Sequence, residues 1–187
     1  PTFLTIVADG DSRINTGSAD LADLILGAGD APADAYLSAS VVGGIAGNLT
    51  LQATNTLTVD AGITKPAGDL ALFAGGDLTL NAPVVLGAGN LTLYGSTVVL
   101  NDLVQVSGAN RVLLDNNSTD PTISVTEVGT GRIVAGTLDM NPGVSFGTLA
   151  LDGDNQIDQI AGLHASDSLS LYNIKSLLIS GLVQGTN

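Results

Sequence analysis

The sequence predicts an all-β fold, a parallel β-solenoid with about 21 residues and three short strands per coil, and three observations point to it. A five-residue pattern returns at one spacing: Gly47-Asn48-Leu49-Thr50-Leu51, Gly68-Asp69-Leu70-Ala71-Leu72 and Gly89-Asn90-Leu91-Thr92-Leu93 begin 21 residues apart. Hydrophobic residues make up 44% of the 187 residues but aromatics only 3%, so the interior must be narrow and aliphatic. Gly, Asn, Asp and Pro punctuate the apolar runs, which is the chemistry of tight turns.

The first strand of each repeat follows from side-chain alternation. In Leu49-Thr50-Leu51 the two leucines face one way and the threonine the other. Equivalent positions recurring at one spacing fit strands that all run in the same direction. Leu49, Leu70 and Leu91 then form an inward column with steps of roughly 4.8 Å. Thr50, Ala71 and Thr92 form the outward one. One further step reaches Asn110-Arg111-Val112-Leu113-Leu114, and another reaches Gly131-Arg132-Ile133-Val134-Ala135. No 3.6-residue apolar period persists over a dozen residues, so helices are disfavoured.

The second strand reads Leu57-Thr58-Val59-Asp60, Leu78-Thr79-Leu80-Asn81 and, with a slip of one residue, Val98-Val99-Leu100-Asn101. A third apolar stretch follows at Ile63, at Val84-Val85-Leu86 and at Leu103-Val104-Gln105-Val106. Asp60, Asn81 and Asn101 close the second strand at matching places. There, stacked amide and carboxylate side chains can form a ladder. Asn48, Asp69 and Asn90 make a similar set at the start of the first strand.

The whole chain, 1–187, is expected to be a single solenoid domain. It divides into irregular N-terminal coils at 1–44, regular repeats at 45–115 and degenerate coils at 116–187. Before the repeats, Phe3–Ala8, Leu21–Leu26 and Tyr36–Val42 are strand-like. Asp9–Asp20, Gly27–Asp34 and Asn116–Pro121 are expected as loop insertions. Gly147-Thr148-Leu149-Ala150-Leu151 and Asp167-Ser168-Leu169-Ser170-Leu171 are expected as further rungs. Eight or nine coils would give a rod on the order of 40 Å long.

Charge excludes whole classes of partner. Five Lys and Arg stand against 18 Asp and Glu, a formal charge of −13, which repels phosphate backbones and anionic headgroups. Nucleic acid and membrane insertion are therefore not expected. The absence of Cys removes thiol chemistry and Cys-based zinc sites. The chain shows neither a basic-then-apolar leader pattern at its start nor an 18-residue apolar run, and reads as a soluble mature or internal segment.

Candidate chemistry is thin. Asp152-Gly153-Asp154-Asn155-Gln156-Ile157-Asp158 places three carboxylates in seven residues. As calcium ligands, Asp152, Asp154 and Asp158 would need a closing bidentate acid and a glycine at the sixth place, and both are missing. A turn between coils is the expected reading, and the same holds for Asp9-Gly10-Asp11. The lone His164 has no Ser or Asp partner placed by a motif and is expected in a solvated turn. Arg13, Lys65, Arg111, Arg132 and Lys175 are scattered, and Tyr36, Tyr94 and Tyr172 fall in different coils, so no sugar-cleaving platform is apparent. Paired acids at glycosidase spacing stay open. Ice binding would need two threonines per strand, where this chain offers one. Asn48, Asn90, Asn116 and Asn117 sit in glycosylation sequons that the strand repeat itself generates. No catalytic residue and no cofactor is expected.

Segments such as Ala74-Gly75-Gly76-Asp77-Leu78-Thr79-Leu80-Asn81-Ala82 resemble the haemagglutinin-type repeats of filamentous haemagglutinin and related two-partner-secretion exoproteins. The stretches Leu149–Ile157 and Ser168–Asn173 resemble the degenerate coils of the same family. That resemblance implies a right-handed parallel β-helix, secreted to the bacterial cell surface or beyond. The family's secretion domain carries Asn-Pro-Asn motifs, whereas here only Asn141-Pro142-Gly143 occurs, so shaft is expected rather than secretion domain. The expected role is a structural or adhesive one. Its expected partners are host or neighbouring-cell receptors or glycans, with end-to-end filaments or homo-oligomers as assemblies. The alternative is a glycan-binding or glycan-cleaving β-helix.

Overall fold

A computed structural model describes residues 1–27, 31–116 and 123–185. The chain begins with strands β1 (Phe3–Val7), β2 (Ile25–Leu26) and β3 (Asp34–Ser38), followed by helix α1 (Ala39–Gly44). Next come β4 (Leu49–Ala53), β5 (Thr56–Val59) and β6 (Ile63–Lys65), then β7 (Leu70–Ala74), β8 (Asp77–Leu80) and β9 (Val84–Leu86). They are followed by β10 (Leu91–Tyr94), β11 (Thr97–Leu100), β12 (Leu103–Val106), β13 (Arg111–Asp115) and β14 (Ser124–Glu127). The last five are β15 (Arg132–Met140), β16 (Phe146–Ile160), β17 (Leu163–Asn173), β18 (Leu178–Ile179) and β19 (Val183–Gly185).

Strand pairing among the described residues is parallel throughout, and through the repeats each strand pairs with the third one after it. β4 pairs with β7, β7 with β10 and β10 with β13, so that Leu49, Leu70, Leu91 and Val112 lie side by side. β5, β8, β11 and β14 align Leu57, Leu78, Val98 and Val125. β6, β9, β12 and β15 align Ile63, Val84, Val104 and Ile133. All twelve of these residues are at most 1% exposed. The result is an all-β fold, a curled parallel sheet compatible with a β-solenoid. Its stability comes from these aliphatic columns, each fully buried side chain contributing about 1.5–3 kcal/mol before chain entropy is set against it.

Polar ladders hold the bends. Asn81 Nδ2 donates to Asp60 Oδ1 at 2.8 Å, and Asn101 Nδ2 donates to Asn81 Oδ1 at 2.8 Å. On the other set, Asn48 Oδ1 accepts from the Asp69 N–H at 2.9 Å and Asp69 Oδ1 from the Asn90 N–H at 2.7 Å. Asn90 Oδ1 then accepts from the Arg111 N–H at 2.9 Å. In this second set each side chain satisfies a backbone donor of the following repeat, which fixes register as well as stability.

Several expectations need correction. The strand-like Tyr36–Val42 stops at Ser38, whose hydroxyl accepts from the Val41 N–H at 3.4 Å and starts α1. Six residues are too few to carry a visible helical period. Helix α1 packs on β6, and a Cβ at Gly43 would stand 2.4 Å from the Thr64 carbonyl oxygen. Leu21–Leu26 is a strand only at its last two residues. A 3-10 turn occupies Ser18–Leu21, and Leu24 takes a left-handed φ of 65°.

Gly131–Ala135 does not continue the first-strand column. Ile133 pairs with Val104, while Val112 pairs with Leu138. The chain between β13 and β14 is longer than the preceding turns, and this shifts the phase. Gly147–Leu151 and Asp167–Leu171 do lie in register with each other, but beneath Val125 in the second-strand column. Of the expected insertions, part of Gly27–Asp34 and most of Asn116–Pro121 lie outside the described residues.

Candidate functional site

Outward positions one step beyond the inward leucines form a column of their own. Leu51, Leu72, Leu93 and Leu114 are fully buried, so alternation turns the next residue of each strand outward. Those residues are Gln52, Phe73, Tyr94 and Asp115, and each is the register partner of the next. The Phe73 and Tyr94 rings lie 5.1 Å apart between centroids at a 40° tilt, within the range where aromatic pairs attract. Both rings are half-buried.

Asp115 ends this column and is held in place. Its Oδ2 accepts from Asn141 Nδ2 at 2.6 Å. Burial pushes the Asp115 carboxyl above its ordinary value, and the Asn141 amide pulls it partly back. Asn116, 3% exposed, donates from Nδ2 to the Ser145 carbonyl at 3.3 Å. Together these residues line a groove of about 620 Å³ that Asn141, Pro142 and Val144 also line. Among the described residues no Lys or Arg lines it.

The acidic stretch is organised differently from the expected turn. Asp152 to Asp158 lies inside β16, with its pairing to β17 shifting between Leu151 and Asn155. That irregularity swings Asn155 inward, where it is fully buried. Asn155 Nδ2 donates to Glu127 Oε2 at 3.0 Å and to the Leu151, Gly153 and Tyr172 carbonyls. The Gly153 N–H also donates to Glu127 Oε2, at 2.7 Å. Burial raises the Glu127 pKa, the nearby Asp152 charge pushes the same way, and Oε1 is buried without a hydrogen-bond partner. Asp152 and Asp154 line a shallow recess with Arg132, whereas Asp158 is ion-paired with Lys175. Among the described residues no three His, Cys, Asp or Glu side chains come together to hold a metal.

The remaining candidates are not among the residues that line the groove beside Phe73 and Tyr94. His164 lies in β17 rather than in a turn, half-buried, with its backbone N–H 3.2 Å from Met140 Sδ. Asp11 pairs with Arg13, which lies 4.9 Å over the Tyr36 ring, and this pairing lowers the half-buried Asp11 carboxyl to about 2. Thr50, Ala71 and Thr92 form the outward column set by the strand register. Among the sequon residues, Asn48 and Asn90 are engaged in the ladder, and Asn117 lies outside the described residues. Lys65 is fully buried, and its Nζ donates to the Ile45, Gly47 and Ala67 carbonyls at 2.5, 2.6 and 2.5 Å. Desolvation lowers its pKa.

No protein-family model, curated protein or solved structure matches this chain. Its function must be argued from its own surface. Sequence reasoning compared the tyrosines with one another and missed Phe73, although counting 21 positions back from Tyr94 reaches it. The same count forward reaches Asp115. Lys65 was legible in the same way, since it stands where Leu86 stands in the next repeat. Nothing in the one-dimensional pattern marked Glu127 or Asn155.

Proposed function

We propose that this chain is a shaft segment of a secreted bacterial surface adhesin or extracellular filament of the filamentous haemagglutinin kind. In this reading it is a right-handed β-helix with three short strands per coil, acting through surface contacts rather than chemistry. The observation that carries the proposal is the unbroken in-register parallel pairing of β4, β7, β10 and β13 over one aliphatic column. Repeats of this sort extend by adding units, each contacting only its neighbours.

The edges support assembly. β18 pairs with β16 and β19 with β17, and their apolar residues Leu178 and Ile179, with the adjacent Leu182, are 57–67% exposed. Unpaired strand edges of this kind template further strands, whether of the same chain or of another. The test is electron microscopy of the purified protein together with cell-binding assays on beads that carry it. Short rods or end-to-end filaments, with beads adhering to host or bacterial cells, are expected. Globular particles and beads that bind neither cell type would overturn the reading.

A second reading, glycan binding or cleavage, is favoured by the groove beside Phe73 and Tyr94. For cleavage, two carboxylates must flank the scissile bond, and among the described residues Asp115 is the one carboxylate that lines the groove. Incubation with neutral and acidic polysaccharides should release no reducing ends. Release would replace the shaft proposal with an enzyme.

A further inference from the structure

We infer that the groove over the Gln52, Phe73, Tyr94 and Asp115 column binds a neutral saccharide chain. This rests on the reading of the molecule as an adhesive surface element and names the ligand class that one face would take.

Saccharides offer two kinds of surface at once, an apolar face of ring C–H groups and a rim of hydroxyls. The groove offers the complement of each. Phe73 and Tyr94 supply half-buried ring surface at adjacent register positions, on strands that rigid pairing holds. Gln52 at one end and Asp115 at the other supply acceptors and donors for hydroxyls. Asn141 already fixes the Asp115 carboxylate, so its orientation costs little on binding. The volume of about 620 Å³ lies in the range of small-ligand sites.

Charge decides which sugars. Among the described residues the groove contains a carboxylate and no lining cation, on a chain of net charge −13. Uronic, sialylated and sulfated glycans would be repelled. Neutral hexose chains carry no such penalty.

The test uses the full chain on an array of immobilised neutral and anionic glycans. Titration with the neutral oligosaccharides that bind then follows, read by tyrosine fluorescence. Binding to at least one neutral glycan and to no anionic one is expected. Tyr94→Leu keeps an apolar side chain on the sheet but removes the ring, and should weaken binding by about tenfold or more. Gln52→Ala and Asp115→Ala should each weaken it several-fold, whereas Thr79→Ala, on another strand face, should leave it unchanged. Far-UV circular dichroism checks that each variant folds, and exposed Gln52 keeps the test meaningful if Tyr94→Leu does not. No neutral glycan bound, binding to anionic glycans alone, binding of peptides in place of sugars, or affinity indifferent to Gln52, Tyr94 and Asp115 would each overturn the inference. Rods or filaments seen alongside any of these results would leave the shaft reading intact, which separates the two failures.

Discussion

The Asn155 side-chain oxygen accepts a hydrogen bond from the Ile133 backbone N–H at 2.6 Å, across β16 and β15, in a fully buried position. The same side chain donates to Glu127 and to three carbonyls, so one amide fills the gap that the strand irregularity opens. Asn155→Ala would strand the Ile133 N–H and leave a void. We expect a loss of about 3 kcal/mol, measured by chemical denaturation. A loss below about 1 kcal/mol would show that water replaces the amide. Asn81→Ala, in an exposed ladder with two side-chain bonds, should cost only about 1 kcal/mol.

Glycines at repeat junctions divide into two kinds. Gly89 has φ of 111°, and a Cβ there would stand 2.3 Å from the Gly68 carbonyl oxygen. Gly108 also has a positive φ, 62°, but open space around it. Gly89→Ala should therefore cost both backbone strain and a clash, about 3 kcal/mol or more. Gly108→Ala should cost about 1 kcal/mol. Thermal melts of the two variants check the ordering, and equal losses would refute it.

Lys65→Met sets two effects against each other. Removing the ammonium relieves a buried charge, which favours the variant. It also leaves three carbonyls without their donor. Three acceptors outweigh one desolvated cation that is fully hydrogen-bonded, so we expect a loss of about 1–3 kcal/mol. Greater stability in the variant would mean that desolvation dominates.

Glu127 gives a pH dependence. Its folded pKa is raised above the ordinary 4.5, chiefly by burial, so folding favours the protonated form. The stabilising contribution of that form is complete below about pH 4.5 and is lost as pH rises through the raised value. Glu127→Gln keeps an oxygen for the Gly153 N–H and carries no charge. Its stability should match wild type in acid and exceed it at neutral pH. Denaturation curves for both proteins across that range check this, and a variant weaker at pH 7 than wild type would contradict it.

Much of the fold could be read from the letters, because a fixed register repeats the same physical environment. Leu49, Leu70 and Leu91 had to be neighbours once their spacing was constant, and so did the Asp60, Asn81 and Asn101 ladder. The reading failed where constancy failed. Ile133 was assigned to the wrong column because the stretch before β14 lengthens one repeat, and periodicity cannot say which side of a phase shift a strand joins. Helix α1 was missed because a Ser cap and six residues make no pattern. At the candidate site, Tyr94 alone said little. Its meaning came from Phe73 and Asp115 in adjacent register, a relation visible only when outward positions are counted as carefully as inward ones.

The pairing of each repeat only with those before and after it has a mechanical consequence. A pull along the direction in which repeats succeed one another opens backbone hydrogen bonds a row at a time instead of shearing many together. Each yielding row would release about 21 residues of slack, roughly 70 Å of extended chain. A chain paired this way lengthens under load one repeat at a time, by that amount in the regular repeats and by more where the stretch before β14 lengthens the repeat.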